Sequence, residues 1–143
     1  MGKLIDKVRE VGQSGGAVFG FLGRSQAGAR KLRPAAILVT LKAGDVAGAE
    51  AAAKAGADAL LLGGWAPATD LGALKAALGT SGAIWGVEIG ANAAEGTLKA
   101  AREAGASFAV LTPTAPAHVI FEEVEHFDRV ITIDVPRDDL ALL

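Results

Sequence analysis

The stretch AILVTLKAGDVAGAEAAAKAGADALLLGG, residues 36–64, decides the fold of this 143-residue chain. It begins and ends with an apolar run of strand length, and the alanine-rich segment between the two runs has the length of a short helix. Asp45 stands directly before that segment, where its carboxylate is well suited to cap a helix N-terminus. The stretch therefore predicts a strand, a helix and a second, parallel strand.

The same pattern recurs later in the chain. When Gly56 is placed over Gly105, residues 56–74 align with residues 105–123 without a gap. Asn92 takes the place of Asp45 and is followed by Glu95 at the capping-box position, which predicts a helix over 93–104. We interpret the chain as one domain, residues 1–143, with an internal repeat over about 36–78 and 84–126.

The remaining segments extend the alternation of strands and helices. The apolar runs predict strands over 17–22, 37–41, 59–62, 84–89, 108–111 and 130–135. The segments between and around them predict helices over 3–11, 46–55, 70–78 (capped by Thr69 or Asp70), 93–104 and 119–126, with another beginning at Pro136.

Strands that are apolar on both faces and alternate with helices are typical of a parallel sheet covered by helices, so the predicted fold class is α/β. Parallel (β/α) repeats favour a singly wound, partial TIM-barrel-like sheet of about six strands, whereas a closed barrel needs eight. The alternative is a doubly wound sheet of the Rossmann or flavodoxin type. Residues 140–143 carry no helix-ending signal, so we expect a fragment of a longer chain or an end that packs on a partner.

Composition narrows the class of protein. Apolar residues make up 51% of the chain and charged residues 21%, which is typical of a globular protein. The formal net charge of -2 argues against a nucleic-acid partner. The absence of cysteine excludes disulfides, zinc–thiolate sites and thiol nucleophiles. Residues 1–12 are too charged for a signal peptide, and no apolar run is long enough to span a membrane, so we predict a cytoplasmic protein without a membrane partner.

Residues 55–64, AGADALLLGG, resemble a segment common in TIM barrels that bind phosphate or flavin phosphate, such as nitronate monooxygenases and IMP dehydrogenases. The resemblance covers these ten residues, with a fainter echo at 104–112. It implies a barrel fold and a phosphate-binding site, and it leaves the cofactor open between FMN and none. The further catalytic motifs of those families do not occur in this chain.

The candidate catalytic residues are Lys42 and Glu88. Both follow strands of the predicted sheet, and ligands of parallel α/β folds bind at the carboxyl ends of the strands. A lysine beside a carboxylate suits Schiff-base or proton-transfer chemistry. The alternatives are a structural ion pair and plain exposure to solvent, and whether the protein is an enzyme stays open.

The candidate ligand-binding residues lie at the same strand ends. Arg24 belongs to a basic loop with the spacing G-x-x-x-x-G but without the lysine and hydroxyl residue of a Walker motif. That loop is a candidate anion site, or alternatively a solvated loop or an interface. Gly63 and Gly64 offer backbone N–H groups to an anion or form a tight turn, and Trp65 stacks on a ligand ring or plugs the barrel mouth. The other candidates are Thr112, His118 and Asp134; no metal site is predicted, because the two histidines lack accompanying carboxylates at metal-ligand spacing.

Two functions from different classes fit these features. The first is a domain that binds a small anionic or phosphorylated ligand, as an enzyme or a degenerate enzyme of unknown reaction. The second is a non-catalytic assembly module that completes its barrel as a homo-oligomer or with a partner domain after Leu143. The sequence names neither a substrate nor a reaction.

Overall fold

The computed structural model describes residues 2–15, 36–79 and 81–134. The elements in chain order are α1 (Lys3–Gly15), β1 (Leu38–Lys42), α2 (Val46–Lys54), β2 (Ala59–Gly63), α3 (Gly72–Leu78), β3 (Ile84–Ile89), α4 (Thr97–Glu103), β4 (Phe108–Leu111), α5 (Ala117–Ile120) and β5 (Asp128–Ile131). The predicted strand over 17–22, the basic loop that contains Arg24 and the helix predicted from Pro136 lie outside the described residues.

The five strands form one parallel sheet in the order β1-β2-β3-β4-β5. The predicted α/β class is confirmed, with helices alternating with parallel strands along the chain. A doubly wound sheet reverses its strand order in the middle. The described strands show no such reversal, so of the two predicted architectures they match the singly wound one.

Each face of the sheet has its own core. The outer face, which carries Leu60, Val87 and Leu111, packs against buried side chains of α2, α3, α4 and α5. The inner face carries a smaller cluster of Ala59, Leu61, Phe108 and Val110, against which Leu4 of α1 and Ile84 pack. Because successive side chains of a strand point to opposite faces, strands covered on both sides become apolar throughout. This explains why β2 and β4 are such continuous apolar runs.

Two helices end in the same way at matched positions of the predicted repeat. Gly56 follows α2 with φ 92° and Gly105 follows α4 with φ 101°, a left-handed conformation that favours glycine. The next amides donate back into the helices, from Ala57 N to Ala52 O and from Ala106 N to Ala101 O. This is the Schellman arrangement of hydrogen bonds. The Ala-Gly pairs are therefore helix-ending turns, while the internal repeat itself stays a prediction.

Helix α4 begins four residues later than predicted, at Thr97, so the capping box at Asn92 and Glu95 is wrong. Gly96, in a left-handed conformation, precedes the helix and supplies no side-chain cap. The Glu122 carboxylate caps it instead, accepting from Lys99 N at 3.0 Å and from Leu98 N at 3.4 Å. A carboxylate that is distant in sequence thus caps α4, in place of the local cap that the capping-box pattern predicts.

The last described elements also differ from their predictions. Helix α5 ends at Ile120 rather than near 126, and β5 begins at Asp128 rather than at 130. Arg129 Nη1 donates to Ile120 O at 2.7 Å and to Glu122 O at 3.0 Å, which satisfies carbonyls at the end of α5. Of the two caps proposed for α3, Asp70 bonds Gly72 N, whereas Thr69 bonds Ala66 N.

The first helix is tied to the last described strand. Asp128, buried on the inner side of β5, accepts hydrogen bonds from Leu4 N at 2.8 Å and Ile5 N at 3.2 Å. These donors belong to the first turn of α1, whose amides have no partner within the helix.

Among the described helices, none is long and apolar enough to cross a membrane.

Candidate functional site

A cleft of about 490 Å³ opens at the carboxyl edge of the sheet, above β2, β3 and β4. Its walls are the loop that follows β2 and the loop that follows β3. The lining residues are Gly64, Trp65, Ala66, Pro67, Glu88, Ile89, Gly90, Ala91, Asn92, Ala93, Ala94, Thr97 and Thr112. A volume of this size is within the range of small-molecule sites, and the carboxyl edge is where parallel sheets bind ligands.

Four of the predicted site residues meet in this cleft: Gly64, Trp65, Glu88 and Thr112. They come from the ends of three neighbouring strands, so the parallel sheet brings them together. The Thr112 hydroxyl lies 3.1 Å from the Thr114 hydroxyl, in an exposed position. The cleft therefore combines a carboxylate, a hydroxyl, an indole and backbone amides in one place.

Lys42 and Glu88 lie on the inner face in one row across the sheet, with Gly63 between them. Lys42 pairs with Gly63 in the β1–β2 register, and the pairing of Leu62 with Val87 puts Glu88 beside Gly63. The two Cα atoms are thus about 10 Å apart, two strand spacings. A Cβ added to Gly63 would lie 3.3 Å from Glu88 Oε2, so the carboxylate leans over the glycine.

Both side chains of this row are exposed. Neither Lys42 nor Glu88 has an ion-pair partner among the residues that the structure describes. The structural ion pair, one of the alternatives for these residues, is therefore not formed within the described part of the chain. The two charged side chains are therefore about two strand spacings apart, which leaves room for a small group between them.

Trp65 is the unusual residue of the cleft. It is 8% exposed and belongs to the core between the sheet and the outer helices, rather than standing over the inner face as a plug. Its Nε1 is buried and has no hydrogen-bond partner among the described residues. Buried indole N–H groups normally find an acceptor, because leaving one unpaired costs about 1–3 kcal/mol.

Electrostatics at this edge do not favour an anion at the described helix N-termini. Asp45 Oδ1 lies 2.9 Å from Gly48 N in α2, and Asp70 Oδ1 lies 2.9 Å from Gly72 N in α3. With Glu122 on α4, carboxylates occupy the starts of α2, α3 and α4, where a phosphate would otherwise bind. Among the described residues that line the cleft, Glu88 is the charged one, and none is a lysine or an arginine.

These residues do not fit a flavin phosphate in the cleft. Among the described residues that line the cleft, Glu88 carries a negative charge and none carries a positive one. The described lining of this cleft therefore does not suit the phosphate of FMN, the cofactor that the resemblance of residues 55–64 leaves open.

The other predicted residues lie away from the cleft. His118 is exposed on α5, and Asp134 is exposed beyond the end of β5. Arg24 lies outside the described residues. No group of three or more potential metal ligands occurs within residues 2–15, 36–79 and 81–134.

The sequence pattern does not predict the loop of residues 90–96, of which residues 90–94 line the cleft. The capping-box pattern predicts that a helix begins after Asn92, whereas in the structure Asn92 lies in this loop and α4 begins at Thr97, whose hydroxyl donates to Ala94 O. The signal that identifies the loop is its pair of flanking glycines, Gly90 and Gly96, since glycine is a strong marker of turns and loops.

Comparison of the chain with known protein families, with curated protein sequences and with solved structures finds no match. The resemblance of residues 55–64 to phosphate-binding barrels stays a prediction. Function is therefore inferred from the carboxyl edge of the sheet.

Proposed function

We propose that this protein binds a small ligand bearing an anionic or phosphorylated group at the carboxyl edge of its sheet, as an enzyme or a degenerate enzyme. The observation that carries this proposal is the row formed by Lys42, Gly63 and Glu88, which adjoins the cleft. It sets one cation and one carboxylate on the same face at the end of the sheet where ligands bind.

Lys42 is the anion-binding residue of this proposal. Its ammonium is exposed and has no carboxylate partner among the described residues, so its charge is available to a ligand. Lysine binds phosphate and carboxylate groups as a point charge. Gly63 keeps the space beside it free of a side chain, and the Glu88 carboxylate limits the approach of an anion from the cleft side. The anionic group therefore sits towards β1.

Replacing Lys42 with methionine is expected to abolish stabilisation by inorganic phosphate. Phosphate at about ten times its dissociation constant stabilises a binding protein by about 1.4 kcal/mol, which raises the Tm of a domain of this size by roughly 3–6 °C. Methionine keeps the length of the side chain and removes its charge. The measurement is thermal unfolding with increasing phosphate, with chloride at the same ionic strength as the reference.

Lys54→Met is the matched control. Lys54 is also exposed, but it lies in the last turn of α2, at the opposite edge of the sheet, 4.0 Å from Glu50. This variant should keep the full response to phosphate. An unchanged response in Lys42→Met, or no response in the unmodified protein, would contradict the proposal.

A second candidate function is assembly. Leu38 on β1 and Val130 on β5 carry large apolar side chains that are 47% and 39% exposed on the inner face. In the described part of the chain, these two strands each have one strand neighbour. If the protein is an assembly module that pairs with a second copy, we expect light scattering to show a stable dimer. Phosphate should then have no effect on either lysine variant.

A further inference from the structure

We propose that residues 136–143 of this chain pack on the outer side of β5 and cover an apolar surface there. That surface consists of Phe121, Ile131 and Ile133, and we call it the β5 patch. None of these three residues lines the cleft at the carboxyl edge, so the β5 patch is separate from the proposed ligand site.

The β5 patch contains the two most exposed of the large apolar side chains that the structure describes. Phe121 is 78% exposed, Ile133 is 77% exposed and Ile131 is 54% exposed. Leu111 on the neighbouring strand β4, by contrast, is fully buried. Removing apolar side chains from water is favourable in proportion to the area that is buried, so a cover over this patch stabilises the fold.

The three side chains of the β5 patch lie on the same side of the sheet. Ile131 pairs with Leu111, a residue of the outer core, so Ile131 belongs to the outer face. The chain stays hydrogen-bonded to β4 for one residue beyond β5, and the alternation of an extended chain then returns Ile133 to the outer face. Arg129, two residues before Ile131 on this face, donates to the backbone carbonyls of the residues on either side of Phe121. These hydrogen bonds hold Phe121 beside the outer face of β5.

The other four strands show what covers the outer face in this fold. Each of them is followed, after a connection of three to eight residues, by a helix that buries apolar side chains against the sheet. These helices are α2, α3, α4 and α5. The described residues stop at Asp134, three residues after β5. The β5 patch therefore lies where the next helix of the same alternation is needed.

The sequence after β5 has the features of such a cover. Four residues separate Ile131 from Pro136, a connection within the range of the other four, and proline is favoured at the first position of a helix. In the helix that the sequence predicts from Pro136, Leu140 and Leu143 lie on one face, because residues three apart are neighbours. Leu142 lies on the opposite face, because 3.6 residues make one turn. Eight helical residues span about 12 Å, nearly the length of a four-residue strand.

Aspartate variants test the contact by thermal unfolding. Leu140→Asp and Ile131→Asp each put a carboxylate into the proposed contact, and each should lower the Tm by roughly 5 °C. Because both variants break the same contact, the double variant should lose clearly less than the sum of the two single losses. Leu142→Asp is the matched control: it adds the same charge on the opposite helix face and should lower the Tm by less than about 2 °C.

A nitroxide label provides a direct measurement of the position of residues 136–143. The chain contains no cysteine, so Leu142→Cys carries a single label on the face turned away from the patch. The label should broaden the amide resonances of Phe121 and of residues 129–133 most strongly. The amides of α2 should be broadened much less, because α2 follows β1, the strand at the other end of the β1–β5 order.

Each possible outcome supports the proposal or contradicts it. Equal Tm losses in Leu140→Asp and Leu142→Asp, or additive losses in the double variant, would show that Leu140 does not pack on the β5 patch. Unlabelled ¹⁵N protein mixed with nitroxide-labelled ¹⁴N protein tests for a second copy. Broadening of residues 129–133 in that mixture would mean that another chain covers the patch, and the proposal would be wrong. Broadening within the labelled chain alone, with non-additive Tm losses, is the result that we expect.

Discussion

Replacing Gly86 with alanine is expected to lower the free energy of unfolding by about 3 kcal/mol, the upper end of what overpacking a core costs. Gly86 is buried in the middle of β3, paired with Leu61 on one side and Phe108 on the other. An added Cβ would lie 2.5 Å from Phe108 Cδ2 and Cε2, and equally close to the Phe108 carbonyl oxygen.

Neither the ring nor the carbonyl oxygen of Phe108 can move away from the added Cβ at low energetic cost. Phe108 is fully buried, so its ring has no free space to turn into. The carbonyl oxygen belongs to the neighbouring strand, and moving it disturbs the pairing of β3 with β4. The alanine therefore forces either an unfavourable rotamer or a displaced strand.

Urea unfolding checks this expectation. Gly79→Ala is the matched control, because a Cβ there would lie at an ordinary 3.5 Å from Ala76 O and Lys75 O. That variant should change stability by less than about 1 kcal/mol. If Gly86→Ala were as mild as the control, the strand register and the packing of Phe108 on the inner face would both be wrong.

Replacing Asp128 with alanine is expected to cost about 3 kcal/mol, because it leaves two amides of α1 without an acceptor in a partly buried place. Asp128 is 6% exposed and accepts from Leu4 N and Ile5 N. A Cβ on Gly2 would overlap the carboxylate, so the chain passes directly against it. The carboxylate also opposes the positive end of the helix dipole of α1.

Asp45→Ala is the comparison for this second variant. Asp45 caps α2 in the same chemical way, through Gly48 N, but it is exposed and local, so its loss should cost only about 1 kcal/mol. Hydrogen exchange provides the second readout. Amides of α1 should lose protection in Asp128→Ala, and those of α2 in Asp45→Ala. Equal losses of stability in the two variants would contradict the tethering of α1 by Asp128.

The sequence predicts the strands of this fold better than its helix ends. The observed limits of β3 and β4 are those predicted, because most residues of each segment are apolar and turn residues flank both segments. The start of α4 could not be predicted locally, because its capping carboxylate is Glu122, which comes from the loop after α5. Tertiary contacts of this kind override a local capping box.

In the candidate site, too, some features could be predicted from the sequence and others could not. Position near the carboxyl ends of two strands was enough to select Lys42 and Glu88, but only the observed register shows that they lie in one row. The unpaired state of Trp65 Nε1 could not be predicted, because it depends on which acceptors the surrounding core fails to supply. The loop at Asn92 could not be predicted, because the local capping-box pattern indicates that a helix begins there.

The most direct test of the whole account is a chemical-shift map with glucose 6-phosphate, a probe that carries a hydroxylated ring and a phosphate on one molecule. The account predicts that the perturbed amides gather at the carboxyl edge of the sheet, at residues 42–44 beside the anion site and at residues 64–66 and 90–94 of the adjoining cleft. Perturbations scattered over the outer helices, or none at millimolar probe, would contradict a ligand site at this edge.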